Sequence, residues 1–327
     1  MADRSTIRPA GGAVPAFRLT VLAALALLAC LLFLTLGAKG SWSFVLSFRT
    51  PKLASLVLVA GAIAVSTVLF QTVAENRILT PFIMGFDALY ALLQTVLVFA
   101  LGSAAVGAAE PRLLFLAEVG AMVALALVLY GGLFSGAVRS LHLLVLVGIV
   151  LGILFRSLSG LMQRLIDPNE FVVLQDRLFA SFNRVEPDLL LVAAILFLAM
   201  LAPIVRLLPA LDVLLLGRDG AIGLGVDHRR TVRAVLGITA VLVSVSTALV
   251  GPVTFFGLIV ASLAYRLMPT HRHAPVLVAA ALLAVIALVG GQMLLEHVFA
   301  FDTALGIVVE LAGGIVFLVL LLRGAAR

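Results

Sequence analysis

The stretch FRLTVLAALALLACLLFLTLGA, residues 17–38, contains a single charged side chain, Arg18. One membrane-spanning α-helix needs about 20 predominantly apolar residues, so this stretch is long enough to cross a bilayer. A cleavable signal would have a shorter apolar region, of about 7–15 residues, and a small-residue cleavage site. We therefore expect an uncleaved first transmembrane helix. Cys30 lies inside it and is the only cysteine of the chain, so it behaves as a small buried residue.

The remainder of the chain repeats this apolar pattern. Of its 327 residues 63% are apolar and 12% are charged, and the mean hydropathy is +1.26. A soluble domain is about half apolar and a quarter charged, so the solvent of this chain is lipid. We expect an all-α polytopic membrane protein that forms a single domain over residues 1–327, because lipid requires paired backbone groups. Ten spans are predicted at 17–37, 53–73, 81–101, 112–132, 141–163, 188–208, 231–250, 254–268, 275–295 and 303–322. The eighth is short and could be broken or cross only part of the bilayer.

The net charge of +6 is explained by membrane topology. If the amino terminus faces the cytoplasm and the ten spans alternate, 14 of the 22 Arg and Lys residues lie inside and 7 outside. This distribution follows the positive-inside rule, so both termini are expected in the cytoplasm. The basic charge therefore gives no reason to expect nucleic acid as a partner.

A surface helix is predicted between the fifth and sixth spans, on the outer side. Asp167 has the place of an N-cap, Pro168 that of the first helical residue, and Glu170 is expected to reach back to the helix start. Apolar residues then recur at helical spacing, namely Phe171, Leu174, Leu178 and Phe182. We expect an amphipathic helix over about 168–183. It either caps the helix bundle or forms the rim of a substrate entrance.

The sequence LLLGRDGAIGLGVDHRRTVR, residues 214–233, interrupts the apolar pattern with charges and glycines. It is not a dinucleotide-binding loop, because no strand precedes it and the glycine spacing is reversed. A phosphate-binding Walker A loop requires Gly-Lys-Ser/Thr, and the only lysines, Lys39 and Lys52, are expected outside. The chain is therefore not expected to be an enzyme that hydrolyses ATP, and it has no predicted metal or cofactor of its own. A generic positive-inside loop would explain the arginines but not the three glycines.

Three ionisable residues lie within or at the ends of predicted spans: Asp87, Arg156 and Glu310. A charged side chain at the bilayer centre costs about 2.5–3.5 kcal/mol or more, so Arg156 should face the bundle or a water-filled cavity. Each of the three could be a proton or substrate site, or a structural contact between helices.

Several blocks of the sequence resemble one family, the permease subunits of type II ATP-binding cassette (ABC) importers for ferric siderophores and vitamin B12. In the first block, residues 49–90, the family has the pattern Arg-x-Pro-Arg, then a helix with Gly-Ala and a Gln, and then Asn-x-x-x-x-Pro followed by a Gly. The residues at these positions are Arg49, Pro51, Lys52, Gly61, Ala62, Gln71, Asn76, Pro81 and Gly85. Further blocks follow in order, including residues 165–183, 216–230, 243–268, 287–294 and 313–323. NRILTPFIMGFD and DPNEFVVLQD resemble the branch that serves catecholate siderophores such as enterobactin, anguibactin and petrobactin.

The resemblance implies a location in the bacterial cytoplasmic membrane and a set of partners. These are a second permease chain (a heterodimer is favoured), two ATPase subunits that bind Mg-ATP, and a substrate-binding lipoprotein or periplasmic protein that delivers a ferric siderophore. Arg49 and Lys52 would dock the binding protein. A cytoplasmic coupling loop over about 209–230 would contact the ATPase through Arg218, Asp219, Gly220, Gly223, Gly225, Asp227 and Arg230, the glycines shaping its backbone.

The residues around the end of span five and the surface helix are candidates for the substrate pathway. Arg156 would offer a cation to an anionic chelate, and Met162, Phe179 and Phe182 would lie nearby, although core packing explains the aromatic residues equally well. Two other functions stay open. A secondary transporter would use Arg156, Asp87 or Glu310 as its coupling site, and a membrane scaffold would carry no flux.

Overall fold

The structure is a computed structural model that describes residues 13–37, 41–135, 141–183, 185–298 and 305–325. Among these residues it has helices and no strand. The α-helices are α1 Ala13–Thr35, α2 Trp42–Val73, α3 Phe86–Leu101, α4 Ser103–Ala108, α5 Pro111–Ser135, α6 Leu141–Gln163, α7 Pro168–Leu178, α8 Pro187–Leu214, α9 Gly217–Gly223, α10 His228–Val250, α11 Phe256–Leu267, α12 His273–His297 and α13 Leu305–Ala325. A short 3₁₀ turn, Pro81–Met84, precedes α3.

The number of membrane spans agrees with the sequence prediction. Among the described residues, seven helices are long and apolar enough to cross a membrane. Three shorter apolar helices, which are α3, α11 and the first part of α13, stand at the other predicted positions. The all-α polytopic fold with about ten transmembrane helices is therefore confirmed. The eighth span, α11, has only 12 residues, which is about 18 Å of helix and less than a bilayer core.

The second span begins earlier than predicted. The segment before Leu53 was expected to lie outside the membrane, but α2 starts at Trp42 and runs for 32 residues through Pro51. Trp42, Phe44 and Phe48 remain exposed on this first part of the helix.

The centre of the bundle is formed by α2, which packs against α10 and α12. Most of α2 and α10 is buried, whereas less than a fifth of α1, α6 and α8 is buried, at 17%, 17% and 11%. The middle of α2 reads AGAIAVS, residues 60–66, and small side chains of this kind let neighbouring helices approach closely. The contact is close enough that a Cβ on Gly61 would lie 3.1 Å from the Phe197 ring of α8. These small residues explain why α2 is the central helix.

The amphipathic helix is present as α7, and it ends at Leu178 rather than at residue 183. Its N-cap prediction is correct, since Asp167 Oδ1 accepts a hydrogen bond from the Asn169 N–H at 2.9 Å. The Glu170 prediction is wrong: its carboxylate accepts from the backbone N–H of Ser103. Glu170 therefore ties α7 to the start of α4 rather than to its own first turn.

Two of the short helices begin inside the bundle after a non-helical segment. The first segment, residues 74–85, ends in the 3₁₀ turn and in Gly85, whose φ of +85° favours glycine. This turn packs on α6 so closely that a Cβ on Gly148 would lie 2.7 Å from the Met84 Cα. The second segment, residues 251–255, follows α10 and precedes α11. Irregular backbone at membrane depth is tolerated only where protein covers it or where it lines a wet cavity.

The packing of the 3₁₀ turn on α6 can be tested with two alanine substitutions in the same helix. Gly148→Ala should lower the thermal midpoint of the purified protein, because the new methyl group meets backbone atoms and overpacking typically costs about 1–3 kcal/mol. Gly160→Ala is the control, since nothing lies within 4 Å of its added Cβ. It should leave the midpoint unchanged or raise it slightly. Equal midpoints for the two variants would contradict this packing.

Candidate functional site

The helix bundle has two ends, and α8, which has 28 residues, runs from one end to the other. We call them the α9 face, where α8 ends and α9 follows, and the α7 face, where α7 precedes α8. Arg18 of α1 donates to the carbonyl of Leu267 at the last turn of α11, at 2.6 Å, so the start of α1 lies at the α9 face.

The α9 face carries a short helix between two turns. After α8 ends at Leu214, Gly217 has a φ of +79° and opens α9; Gly225 has a φ of +83° and follows it. Asp227 then caps α10, because its Oδ1 accepts from the Arg230 N–H at 3.0 Å. The charged and glycine-rich sequence thus folds into helix, turn and N-cap within 13 residues, 215–227.

The predicted role of the glycines needs a correction. Only Gly225 of the three has the positive φ that an L-residue adopts with strain. Gly220 and Gly223 lie within α9. Within residues 215–227, the other residue with a positive φ is Gly217, which sequence reasoning missed. The backbone argument therefore applies to Gly217 and Gly225.

An apolar surface accompanies the charges of α9. Leu216, Ile222 and Leu224 are 65%, 51% and 63% exposed, whereas Ala221 is fully buried against the bundle. Arg218 and Asp219 are exposed on the same short helix. Exposed apolar groups rimmed by polar ones mark contact sites for other proteins. Sequence reasoning missed these apolar residues because such residues are common throughout the chain.

A hydrogen-bonded bridge joins this face to the centre of the bundle. Asp212, in the last turn of α8, accepts from both the backbone N–H and the ring Nδ1–H of His273, each at 2.7 Å. The other ring nitrogen of His273 lies 2.9 Å from the hydroxyl of Thr72 in α2. His273 is buried. The base of the α9 segment is therefore connected to α12 and to the central helix α2.

A second polar cluster lies where α3 and α11 begin. Arg156 of α6 donates to Asp87 at the start of α3, at 2.6 Å. The hydroxyl of Thr254, just before α11, donates to Glu310 of α13 at 3.3 Å, and Asp87 acts electrostatically on Glu310. The structure thus brings together the three ionisable residues that the sequence analysis treated separately. In transporters, interrupted helices of this kind mark binding sites near the bilayer centre.

The four predicted pathway residues have different environments. The Arg156 side chain is 67% exposed, Phe179 is about half exposed and Met162 is half-buried. Phe182 is 2% exposed and belongs to the hydrophobic core, which agrees with the core-packing alternative; its place on the pathway stays a prediction. Its spacing with Leu174 and Leu178 reflects packing of the α7 region on the bundle.

The two basic residues predicted to dock a binding protein make contacts within the chain. The Arg49 guanidinium donates to the carbonyls of Phe33 and Leu36 at the end of α1, both at 2.7 Å. Lys52 is buried and forms an ion pair with Glu296 of α12. Removing one partner of a buried pair typically costs about 3–5 kcal/mol, so Lys52 has a structural role. A docking role for Arg49 or Lys52 stays a prediction.

Comparison with known proteins identifies the family. The protein-family model described as "FecCD transport family" matches residues 15–323 of this chain. The chain belongs to the FecCD transport family. It is 47% identical over 284 residues to the petrobactin import system permease protein YclO of Bacillus subtilis (strain 168), covering 87% of this chain and 90% of that protein. It is 36% identical over 278 residues to the petrobactin import system permease protein FatC of Bacillus anthracis, covering 85% and 78%.

The fold also matches a solved structure, titled as an inward-facing conformation of a metal-chelate type ABC transporter. The TM-score is 0.81 at 22% identity, and the match covers 94% of this chain and 99% of the other. The family match and the two relatives confirm the resemblance to ABC importer permeases, and the solved structure confirms the fold; this FecCD chain is a multi-pass membrane permease.

The backbone role of Gly225 can be separated from its surface position by comparison with Gly223. Neither added Cβ would meet an atom within 4 Å, so the two sites differ in φ and not in space. Gly225→Ala should carry a strain of about 1–3 kcal/mol and loosen the α9 segment. Hydrogen–deuterium exchange of peptides covering 214–227 should therefore accelerate in Gly225→Ala and stay near wild type in Gly223→Ala. The same exchange in both variants would refute the backbone role.

Proposed function

We propose that this chain is the permease subunit of an ATP-driven importer that moves a ferric siderophore of the petrobactin class across the bacterial cytoplasmic membrane into the cell. Family membership supports import through an ABC transporter, and the two relatives named for petrobactin support the substrate class. The catecholate branch suggested by NRILTPFIMGFD and DPNEFVVLQD agrees with those names.

The exposed charge of Arg156 is the observation that carries this proposal. Arg156 lies in the second half of α6, on a face that is otherwise apolar and exposed at Ile149 and Ile153. Lipid cannot cover a guanidinium there without a cost of about 2.5–3.5 kcal/mol or more. This face of α6 is therefore adjacent to water and to a second permease chain. A ferric chelate with anionic groups would meet the cation in that path, while Asp87 holds its orientation.

The permease partner would be a related but different chain. The likeness to the catecholate branch favours a heterodimer over two identical subunits. The apolar exposed residues of α6 and of α13, such as Leu158 and Leu311, would form the contact on either side of the path.

The α9 face would be cytoplasmic and would contact two ATPase subunits, which bind Mg-ATP; this chain needs no cofactor of its own. Leu216, Ile222 and Leu224 would supply apolar contact, with Arg218 and Asp219 at its edge. Both chain termini would lie on this side, as the basic residues predict. Closure of the ATPase dimer would move α9, and the bridge from Asp212 through His273 to Thr72 would transmit that movement to α2 and α12.

The α7 face would be the outer face and would receive the binding protein. Arg49 is half-buried and already satisfies carbonyls of α1, and Lys52 is paired with Glu296. The binding protein would therefore reach Arg49 more readily than Lys52. Glutamates on its lobes would find Arg49 oriented by the α1 carbonyls.

The energy source distinguishes this proposal from a secondary transporter that uses Arg156, Asp87 or Glu310 as its coupling site. The complete importer, reconstituted in vesicles with its binding protein and ferric petrobactin outside, should accumulate iron only with Mg-ATP inside. Collapse of the proton and sodium gradients with ionophores should not change the initial rate. Uptake that persists without ATP and stops with the ionophores would instead establish the secondary transporter.

A further inference from the structure

A cavity opens on the α7 face, away from Arg156. It has a volume of about 310 Å³ and lies between α3, α5, the end of α7 and the start of α8, and the end of α10. None of its lining residues belongs to α6 or α13, the helices of the proposed transport path, and Phe179 is the one predicted pathway residue among them. Its size is at the lower end of the range for small-molecule sites.

The inner wall of this cavity holds a buried carboxylate that the transport mechanism does not use. Glu118 of α5 is 7% exposed and Gln94 of α3 is 2% exposed. The Gln94 amide donates to Glu118 Oε1 at 2.7 Å. The carbonyl oxygen of that amide, Gln94 Oε1, is buried and has no hydrogen-bond partner. Ionisable side chains inside membrane spans are costly and are functional by default.

The polar groups around the cavity offer acceptors in excess of donors. Three carboxylate residues line it, Glu118, Asp176 and Glu186, against one cationic residue, Arg177, which acts electrostatically on Glu118. The Tyr90 hydroxyl donates to the Arg177 carbonyl at 3.3 Å, so its proton is in use. The residues that line the cavity therefore carry a net negative charge, and Gln94 Oε1 is a hydrogen-bond acceptor without a donor.

A metal ion is a poor match for this lining. Among the residues that the structure describes, no group of three or more His, Cys, Asp and Glu side chains could hold one. A primary ammonium group has three N–H donors, no acceptor and a positive charge. It would satisfy Gln94 Oε1 and Glu118 together and leave the rest of the molecule in the open part of the cavity.

We propose that this cavity binds a primary ammonium group. The group would come from a small free amine, or from a lysine of the binding protein when that protein sits on the α7 face. The second source rests on the proposed function, whereas binding of a free amine does not. In either case Glu118 supplies the charge and Gln94 the neutral acceptor.

The test uses the purified protein in lipid nanodiscs with methylammonium chloride as the probe. Methylammonium should raise the thermal midpoint saturably, whereas tetramethylammonium and sodium chloride at the same concentration should not, because neither ion has an N–H. Glu118→Gln should weaken the apparent affinity by about tenfold or more, as expected when a hydrogen bond to a charged group is lost. Glu110→Gln is the matched control, because Glu110 is exposed at the same end and does not line the cavity.

A second variant covers the case in which Glu118→Gln does not fold. Gln94→Met keeps the carboxylate and removes the acceptor, so it too should weaken methylammonium binding. Competition between methylammonium and the binding protein would assign the ammonium group to a lysine of that protein, and binding without competition would assign it to a free amine. Equal effects of methylammonium and tetramethylammonium, or unchanged binding in both variants, would overturn the proposal, and neither result depends on siderophore transport.

Discussion

The structure depends on the requirement that backbone N–H and C=O groups within lipid be paired or covered by protein. Two of the described segments break that pairing, residues 74–85 and 251–255. The second segment and the end of the first, residues 80–85, are buried or half-buried, whereas residues 75–77 are exposed. The first packs on Gly148 and Gly152 of α6. The second is held where the Ser181 N–H donates to the Val250 carbonyl at 2.7 Å. Because the backbone just before α3 and α11 is covered, these helices can begin inside the bundle, and polar residues stand at their starts.

This arrangement divides the molecule into a buried centre and an exposed periphery. Most of α2 and α10 is enclosed, and α12 packs along α2. The face of α6 and the segment around α9 are exposed, and each combines apolar side chains with charges. The bridge from Asp212 to His273 connects the α9 segment to the centre, while the ion pair of Arg156 with Asp87 connects α6 to α3. In the proposed importer, the first connection would carry movement from the ATPase to α2 and α12, and the second would join the movements of α6 and α3 beside the transport path.

The helical membrane fold could be predicted from composition and apolar length, because lipid leaves few other solutions for such a chain. The Asp167 N-cap was also predictable, since a cap depends on neighbours in sequence. Contacts between helices that are distant in sequence could not be predicted. Nothing in the sequence near Lys52 indicates its ion pair with Glu296, 244 positions away, and Glu170 bonds Ser103 instead of its own helix start. Phe182 had the spacing of an amphipathic face, but tertiary packing buries that face in the core.

The central claim is that the exposed face of α6 beside Arg156 lines a water-filled path whose access alternates with the nucleotide state. Cys30 is the only cysteine, so Cys30→Ser combined with Ser157→Cys places one thiol on this face. The rate at which a membrane-impermeant maleimide modifies that thiol, applied from either side of vesicles holding the complete importer, measures access directly. We predict reaction from one side in the nucleotide-free state and from the other in the ATP-trapped state. A thiol that reacts equally in both states, or from neither side in either, would contradict the account.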